Sequence, residues 1–334
     1  VPALRTRTAA VAWALAAVLI TIGLFAIRVL TADLPVDALP SAVRDLFTLA
    51  ISVFVESLPF VFLGVLLSIL VQRWLPPTLL DRILPRVPVL RRAALSLLGV
   101  LLPVCECGNV PLARGLMLRG FTVSEALTFL LAAPILNPVT IITTYQAFGW
   151  NDGVLVSRII GGFVIANLLG WLVSRHPRQH ELLTGRFEAT CQAHHDHPET
   201  GSRIRRSAED FATETGTMLP ALAIGALLAG IIQVGVPREV LVSLGSNPIW
   251  SVLALMTLAF VVSVCSNVDA FFILSFGSTF MPGAIVAFLV FGAMVDIKML
   301  ALLRTTFTGP TLVRVTIVVA LCCLVLGFGV NLFA

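Results

Sequence analysis

Predominantly apolar stretches long enough to cross a bilayer recur along this chain, and they constrain its fold more than any single motif does. A hydrocarbon core about 30 Å thick takes about 20 residues of helix. Stretches of roughly that length or more lie at about residues 8 to 29, 46 to 72, 93 to 119, 124 to 148, 153 to 174, 210 to 236, 249 to 280, 282 to 304 and 312 to 333. Of the 334 residues 58% are apolar and only 12% charged, where a soluble domain carries about 25% charged residues. The expected fold class is therefore an all-α polytopic membrane protein with about nine hydrophobic segments. The first segment follows Arg5 and Arg7 and precedes no small-residue cleavage site, so residues 1 to 30 read as a retained transmembrane anchor.

The cations set the topology. If all nine segments cross from a cytoplasmic N-terminus, 12 Lys and Arg fall inside and 10 outside, against the positive-inside rule. If the segments holding "CECGN" and "VCSNVDAFF" instead enter and leave on one face, 18 fall inside and only Arg28, Arg44, Arg158 and Arg238 outside. Trp13, Trp74, Trp150, Trp171 and Trp250 all lie near segment ends, as an interfacial aromatic belt requires. Seven crossings and two re-entrant hairpins orient the halves oppositely, so the expectation is two inverted repeats with broken or re-entrant helices, preceded by one extra N-terminal transmembrane helix. Repeat 1 would span 42–174 and repeat 2 would span 208–334. Internal likeness agrees: "CGNV" at Cys107 falls on "CSNV" at Cys265, Asn137 on Asp296, and Pro59 and Gly64 on Pro220 and Gly225. Between the repeats, 175–207 is polar, basic and His-rich, and reads as a cytoplasmic surface linker, partly disordered.

Several residues do not belong in lipid. A helix broken inside the bilayer leaves backbone groups that protein, ligand or water must satisfy. In "PVCECGNVP", Pro103 and Pro111 bracket such a break and Gly108 permits the turn, while Asn109 and Asn267 are suited to pair the freed groups or a substrate. Pro134 and Pro138 interrupt the helix around Asn137 in the same way. Glu56, Glu106, Asp269, Asp296 and Lys298 are charges inside apolar runs, each costing at least about 2.5 kcal/mol to insert, and so expected to be paired or functional. Asp296 with Lys298 is one candidate ion pair, although i,i+2 positions do not face each other on a helix. Glu106, Asp269 and Asp296 are the candidates for proton coupling.

The six cysteines lack disulfide spacing and read as free thiols. Cys105, Cys107 and Cys265 at the breaks would suit a soft, thiol-seeking species, or would simply pack as small apolar residues. Cys322 and Cys323, at the lipid-facing end of the last segment, read as packing. In the linker Cys191, His194, His195 and His197 are of the type that zinc or copper accepts, in no fixed motif.

The C-x-C-G motif of Cys105, Cys107 and Gly108, the Arg114 to Gly120 segment and the A-P-x-x-N-P motif of Ala133, Pro134, Asn137 and Pro138 together resemble the ArsP/YraQ-like family of predicted permeases. The likeness runs from about Phe47 onward and includes the second "CSN" and the aspartate of "MVDIKML". It implies a multi-pass permease of a bacterial inner membrane; some members resemble exporters of trivalent organoarsenicals. Glu106 stands where a small residue is the more usual choice, which favours a cationic substrate or a proton step.

The functional expectation is a secondary transporter effluxing a soft metalloid or metal, with a path lined by Cys105, Glu106, Cys107, Asn109, Asn137, Cys265, Asn267, Asp269 and Asp296. Alternatives are a zinc or other divalent-cation permease and, in another class, a non-transporting metal sensor or assembly subunit. No G-x-x-x-x-G-K-[ST] loop, nucleophile and base pair or H-E-x-x-H motif is present, so neither ATP hydrolysis by this chain nor an enzyme is expected, and no cofactor. Expected partners are the lipid bilayer and a small inorganic or organometalloid substrate, with a homo-oligomer or a metal-handling protein also compatible. The net charge of +4 reports topology and implies no nucleic acid.

Overall fold

The computed structural model describes residues 41–76, 84–101, 104–150, 153–196, 202–235, 248–275 and 280–333. In chain order its α-helices are α1 (Ser41–Ile69, continued by a π-helical turn Leu70–Trp74), α2 (Pro88–Leu101), α3 (Glu106–Leu118), α4 (Val123–Leu136), α5 (Pro138–Phe148), α6 (Val154–Ser174), α7 (Gly185–Asp196), α8 (Arg203–Gly235), α9 (Pro248–Val262), α10 (Asp269–Leu274), α11 (Pro282–Met294), α12 (Ile297–Leu303) and α13 (Gly309–Phe333). Among the described residues the one extended pairing is an isolated antiparallel bridge, Leu183 to Phe307.

Six helical runs are long and apolar enough to cross a membrane: Ser41–Trp74, Val123–Phe148, Val154–Ser174, Arg203–Gly235, Pro282–Leu303 and Gly309–Leu332. They coincide with six of the nine expected segments. The segment at 8 to 29 lies outside the described residues. The remaining two are pairs of short helices, α2 with α3 and α9 with α10, interrupted where the sequence places "CECGN" and "CSNV".

Two of the six runs are also broken, each by different chemistry. Pro138 occupies the first position of α5, and its ring drives Asn137 out of the helical region to ψ 131°. The Asn137 carboxamide oxygen then caps α5 by accepting from the Val139 N–H at 2.9 Å. The second run has no proline at its break. There Val295 and Asp296 are extended, and the Asp296 carboxylate caps α12 by accepting from the Met299 N–H at 2.6 Å.

α4 is buried at every position and α11 at nearly every one, the signature of helices apolar all round. α4 packs between α2 and α6, α11 between α9 and α13, and the two central helices touch. Glycines allow the closest approaches: a Cβ on Gly64 would sit 2.1 Å from the Gly108 carbonyl oxygen, and one on Gly225 would sit 2.9 Å from the Lys298 Cα. Between α3 and α4, Gly120 at φ 95° forms a Schellman stop, with the Phe121 N–H donating to Leu116 O and the Gly120 N–H to Met117 O. Thr122 and Glu125 then form a capping box that starts α4.

Several expectations change. Gly108 and Pro111 lie within α3 and not in the break, which falls just before Cys105; Gly108 serves the contact with α1, and the Pro111 carbonyl accepts from Ser68 Oγ at 2.8 Å. Pro134 lies inside α4, two residues before its end. Pro103 lies outside the described residues. Glu56 is exposed on α1 and is not a buried charge. Cys323 is buried in the core and not lipid-facing. Much of the linker is ordered: Leu182, Leu183 and Phe187 are buried, Thr184 N–H donates to Thr306 O and Thr308 N–H to Leu182 O, and the Arg114 guanidinium lies 4.2 Å from the Phe187 ring centre. Three apolar side chains among polar neighbours suffice to dock this stretch on the body.

Candidate functional site

The breaks converge. α3, which starts at the first break, packs on α12, and α10, which starts at the third, packs on α5. Each half thus places a broken helix against the other half's broken helix, and the side chains that the sequence singled out meet there.

Cys105 caps the N-terminus of α3 in extended conformation, and Cys107 lies in the first turn. Cys265 belongs to the non-helical link between α9 and α10. The Cys105 thiol interacts with both Cys107 and Cys265, so two neighbouring sulfurs and a third from a distant part of the chain lie close together. All three are buried and free of disulfide. The ligand atoms of Cys105, Glu106 and Cys107 lie within 4.8 Å of one another.

Around the thiols runs a charge network that ties the halves together. Glu106 Oε1 lies 2.9 Å from Lys298 Nζ, while Glu106 Oε2 accepts from Ser266 Oγ at 2.8 Å. Lys298 is 3.9 Å from Asp296 Oδ2, so its close partner is Glu106 and not the aspartate two residues away. Asp269, the first residue of α10, receives both arms of Arg158, Nη1 to Oδ1 at 2.9 Å and Nη2 to Oδ2 at 2.6 Å. Arg158 Nη1 also donates to Thr144 Oγ1 at 2.8 Å. Burial of such charges is tolerated only with this degree of pairing and hydrogen bonding. Three carboxylates face two cations here, and Asp296 Oδ2 is buried without a hydrogen bond, its ion-pair contact with Lys298 being the longer one at 3.9 Å.

Asparagines satisfy the freed backbone. The Val104 carbonyl, at the first break, accepts from Asn137 Nδ2 at 3.1 Å and from Asn109 Nδ2 at 3.5 Å. Asn137 Nδ2 also reaches Asn267 Oδ1 at 3.4 Å, which Thr140 Oγ1 approaches to 3.3 Å. Asn109 Oδ1 is buried without a hydrogen bond.

The structure therefore brings together Cys105, Glu106, Cys107, Asn109, Asn137, Cys265, Asn267, Asp269 and Asp296. Ser266, Thr140, Thr144 and above all Arg158 join them unannounced by the sequence; the cation count puts Arg158 on the outer side of the membrane, and its side chain is buried within the protein. Its signal was available: an arginine after the first turn of an otherwise uncharged span carries the same insertion cost as Asp296. The linker residues lie apart. Cys191 is half-buried on α7, where burial pushes its thiol pKa up, and His194 and His195 follow on the same helix; His197 lies outside the described residues.

A family model described as a predicted permease, ArsP_1, matches residues 42–332. The chain belongs to this ArsP-type permease family. The Bacillus subtilis UPF0718 protein YcgR is 37% identical over 281 residues, covering 80% of this chain and 90% of that one. A Streptococcus mutans protein named "Putative two-component membrane permease complex subunit" is 31% identical over 301 residues, 86% of this chain and 97% of its own. The Escherichia coli UPF0718 protein YraQ matches about half of each chain at 29% identity. No solved structure matches. As an ArsP-type permease the chain is a multi-pass membrane protein, and its broken helices fit the rule that irregular backbone at membrane depth is buried in protein or lines a cavity.

Proposed function

We propose that this ArsP-type permease is a secondary transporter that effluxes a soft, thiol-reactive metalloid or metal species, of which a trivalent organoarsenical is the leading case. The observation that carries this reading is the three-thiol cluster of Cys105, Cys107 and Cys265 where the broken helices of the two halves meet. Thiolates select soft species over Mg²⁺ or Ca²⁺. For a dihydroxyarsine, two S–H groups replace two As–OH groups: two As–S bonds form, each hydroxyl leaves with a thiol proton as water, and no electrons are exchanged. Loading is thus neutral, and it leaves the adjacent charge network unaltered.

The architecture we infer is two inverted repeats, 42–174 and 208–334, with seven crossings and two re-entrant pairs, the N-terminus and the linker being cytoplasmic. The paired positions of Asn137 and Asp296 at equivalent breaks support it. Such repeats carry mid-membrane sites in many secondary transporters. Glu106 is neutralised by Lys298, so it gives no reason to expect a cationic cargo. Asp296 is instead the proton carrier we favour over Glu106 and Asp269, because each of those has its own closely paired cation.

Purified protein in sealed proteoliposomes tests the reading directly. Methylarsenite flux is expected, falling at least tenfold in Cys105→Ser and Cys265→Ser, and losing its dependence on an imposed proton gradient in Asp296→Asn. Flux of zinc but no metalloid would favour the divalent-cation permease. No flux of either would favour a non-transporting subunit, a reading to which the name of the Streptococcus mutans relative lends support.

A further inference from the structure

A groove of about 1200 Å³, lined by none of the three thiols, opens between α8, α12 and α13. Its two ends differ chemically. α8 and α12 run antiparallel along it, because Gly225 packs on Lys298 and Ala301, whereas the Thr305 carbonyl and Thr306 reach, through Arg114, to Glu214. Consequently Thr217 of α8 lies at the same end as Arg304 and Thr305, and Leu228, Ile232 and Phe260 lie at the other. The α8 stripe from Gly216 to Ile232 spans 16 helical steps, about 24 Å at 1.5 Å per residue. That is most of the roughly 30 Å hydrocarbon thickness.

The polar end carries two exposed guanidinium groups, Arg304 at the C-cap of α12 and Arg186 in the first turn of α7. Among the described residues neither has a carboxylate partner, and the Arg304 head donates to the Phe307 carbonyl at 3.3 Å. Among the described residues no acidic one lines the groove. The ordered linker builds this end, since Thr184 Oγ1 donates to Thr305 O at 3.3 Å and so holds Arg186 beside the α12 terminus. An apolar trough about 24 Å long, ending in two arginines that have no carboxylate partner among the described residues, has the chemistry of one occupant.

We propose that this groove is a binding site for an anionic phospholipid, with an acyl chain along Ile224, Leu228 and Ile317 and the phosphate between Arg186 and Arg304. Ile297, Leu300 and Ala301 of α12 form one wall, and Asp296 and Lys298 of the same short helix belong to the charge network. A bound lipid therefore braces the helix that carries the network. The site is independent of the cargo proposed above.

Native mass spectrometry of the intact protein, with equimolar phosphatidylglycerol and phosphatidylcholine in the detergent, tests it. The wild type is expected to retain one phosphatidylglycerol preferentially. Arg186→Gln with Arg304→Gln is expected to cut that preference about fivefold per arginine, the ratio equivalent to about 1 kcal/mol per basic group near an anionic surface. Millimolar inorganic phosphate should not displace the lipid. Equal retention of the two lipids by the wild type, a measurement that needs no variant, overturns the proposal. So does a preference that survives in the folded double variant, or displacement by phosphate, which would mark a bare anion site.

Discussion

Arg158 and Asp269 show how the residue scale is decided by pairing. Each is a charge that the membrane would reject singly, and together they share two hydrogen bonds across 111 positions of sequence. Removing one partner leaves the other buried and uncompensated. Arg158→Leu or Asp269→Leu alone should therefore cost about 3–5 kcal/mol, while the double replacement should recover much of the loss, as thermal unfolding in detergent will measure. The linker offers a second residue-scale outcome. Because burial raises the Cys191 thiol pKa, its thiolate fraction at neutral pH is below that of a free cysteine. With the other cysteines replaced, alkylation of Cys191 at pH 7 should be slower than that of a free thiol, and should rise steeply as the pH is raised. Equal rates at pH 7 would contradict the burial of that thiol.

At the scale of elements, breaks in helices matter as much as helices. Pro138 announces one break openly in the sequence, because a proline ring dictates the backbone of the residue before it. The break at Asp296 has no such marker; a capping carboxylate and a tertiary setting hold it. The break before Cys105 lies close to where sequence reading expects one, but Gly108 and Pro111 turn out to serve packing within α3. Gly108→Ala tests that distinction, since the new Cβ would meet the Phe60 carbonyl oxygen at 2.4 Å, a backbone atom that no rotamer change can move aside. A marked fall in monodisperse protein is expected on size exclusion. Gly329→Ala on α13, whose Cβ would meet nothing within 4 Å, should be neutral or stabilising by up to about 1 kcal/mol.

At the scale of the whole molecule, the inferred orientation places the linker in the cytoplasm, and a membrane-impermeant maleimide should label Cys191 in inside-out vesicles and not in intact cells. Labelling from outside would sink both the topology and the repeat symmetry built on it. The sequence by itself determined that the chain is a helical membrane protein, because apolar length and the demand for satisfied backbone leave little else. It also picked out Cys105, Glu106, Cys107, Asn137, Cys265 and Asp296, because polar and ionisable groups in lipid carry a cost that something must offset. Only the tertiary structure decided their partners: that Lys298 answers Glu106 at 2.9 Å in preference to Asp296 at 3.9 Å, that Arg158 lies inside, and that the linker docks through Phe187. The reason is physical. Insertion cost is a property of one residue and can be read along a chain, whereas the pairing that relieves it depends on which helices meet, and that is fixed by long-range packing through contacts such as Gly64 with Gly108.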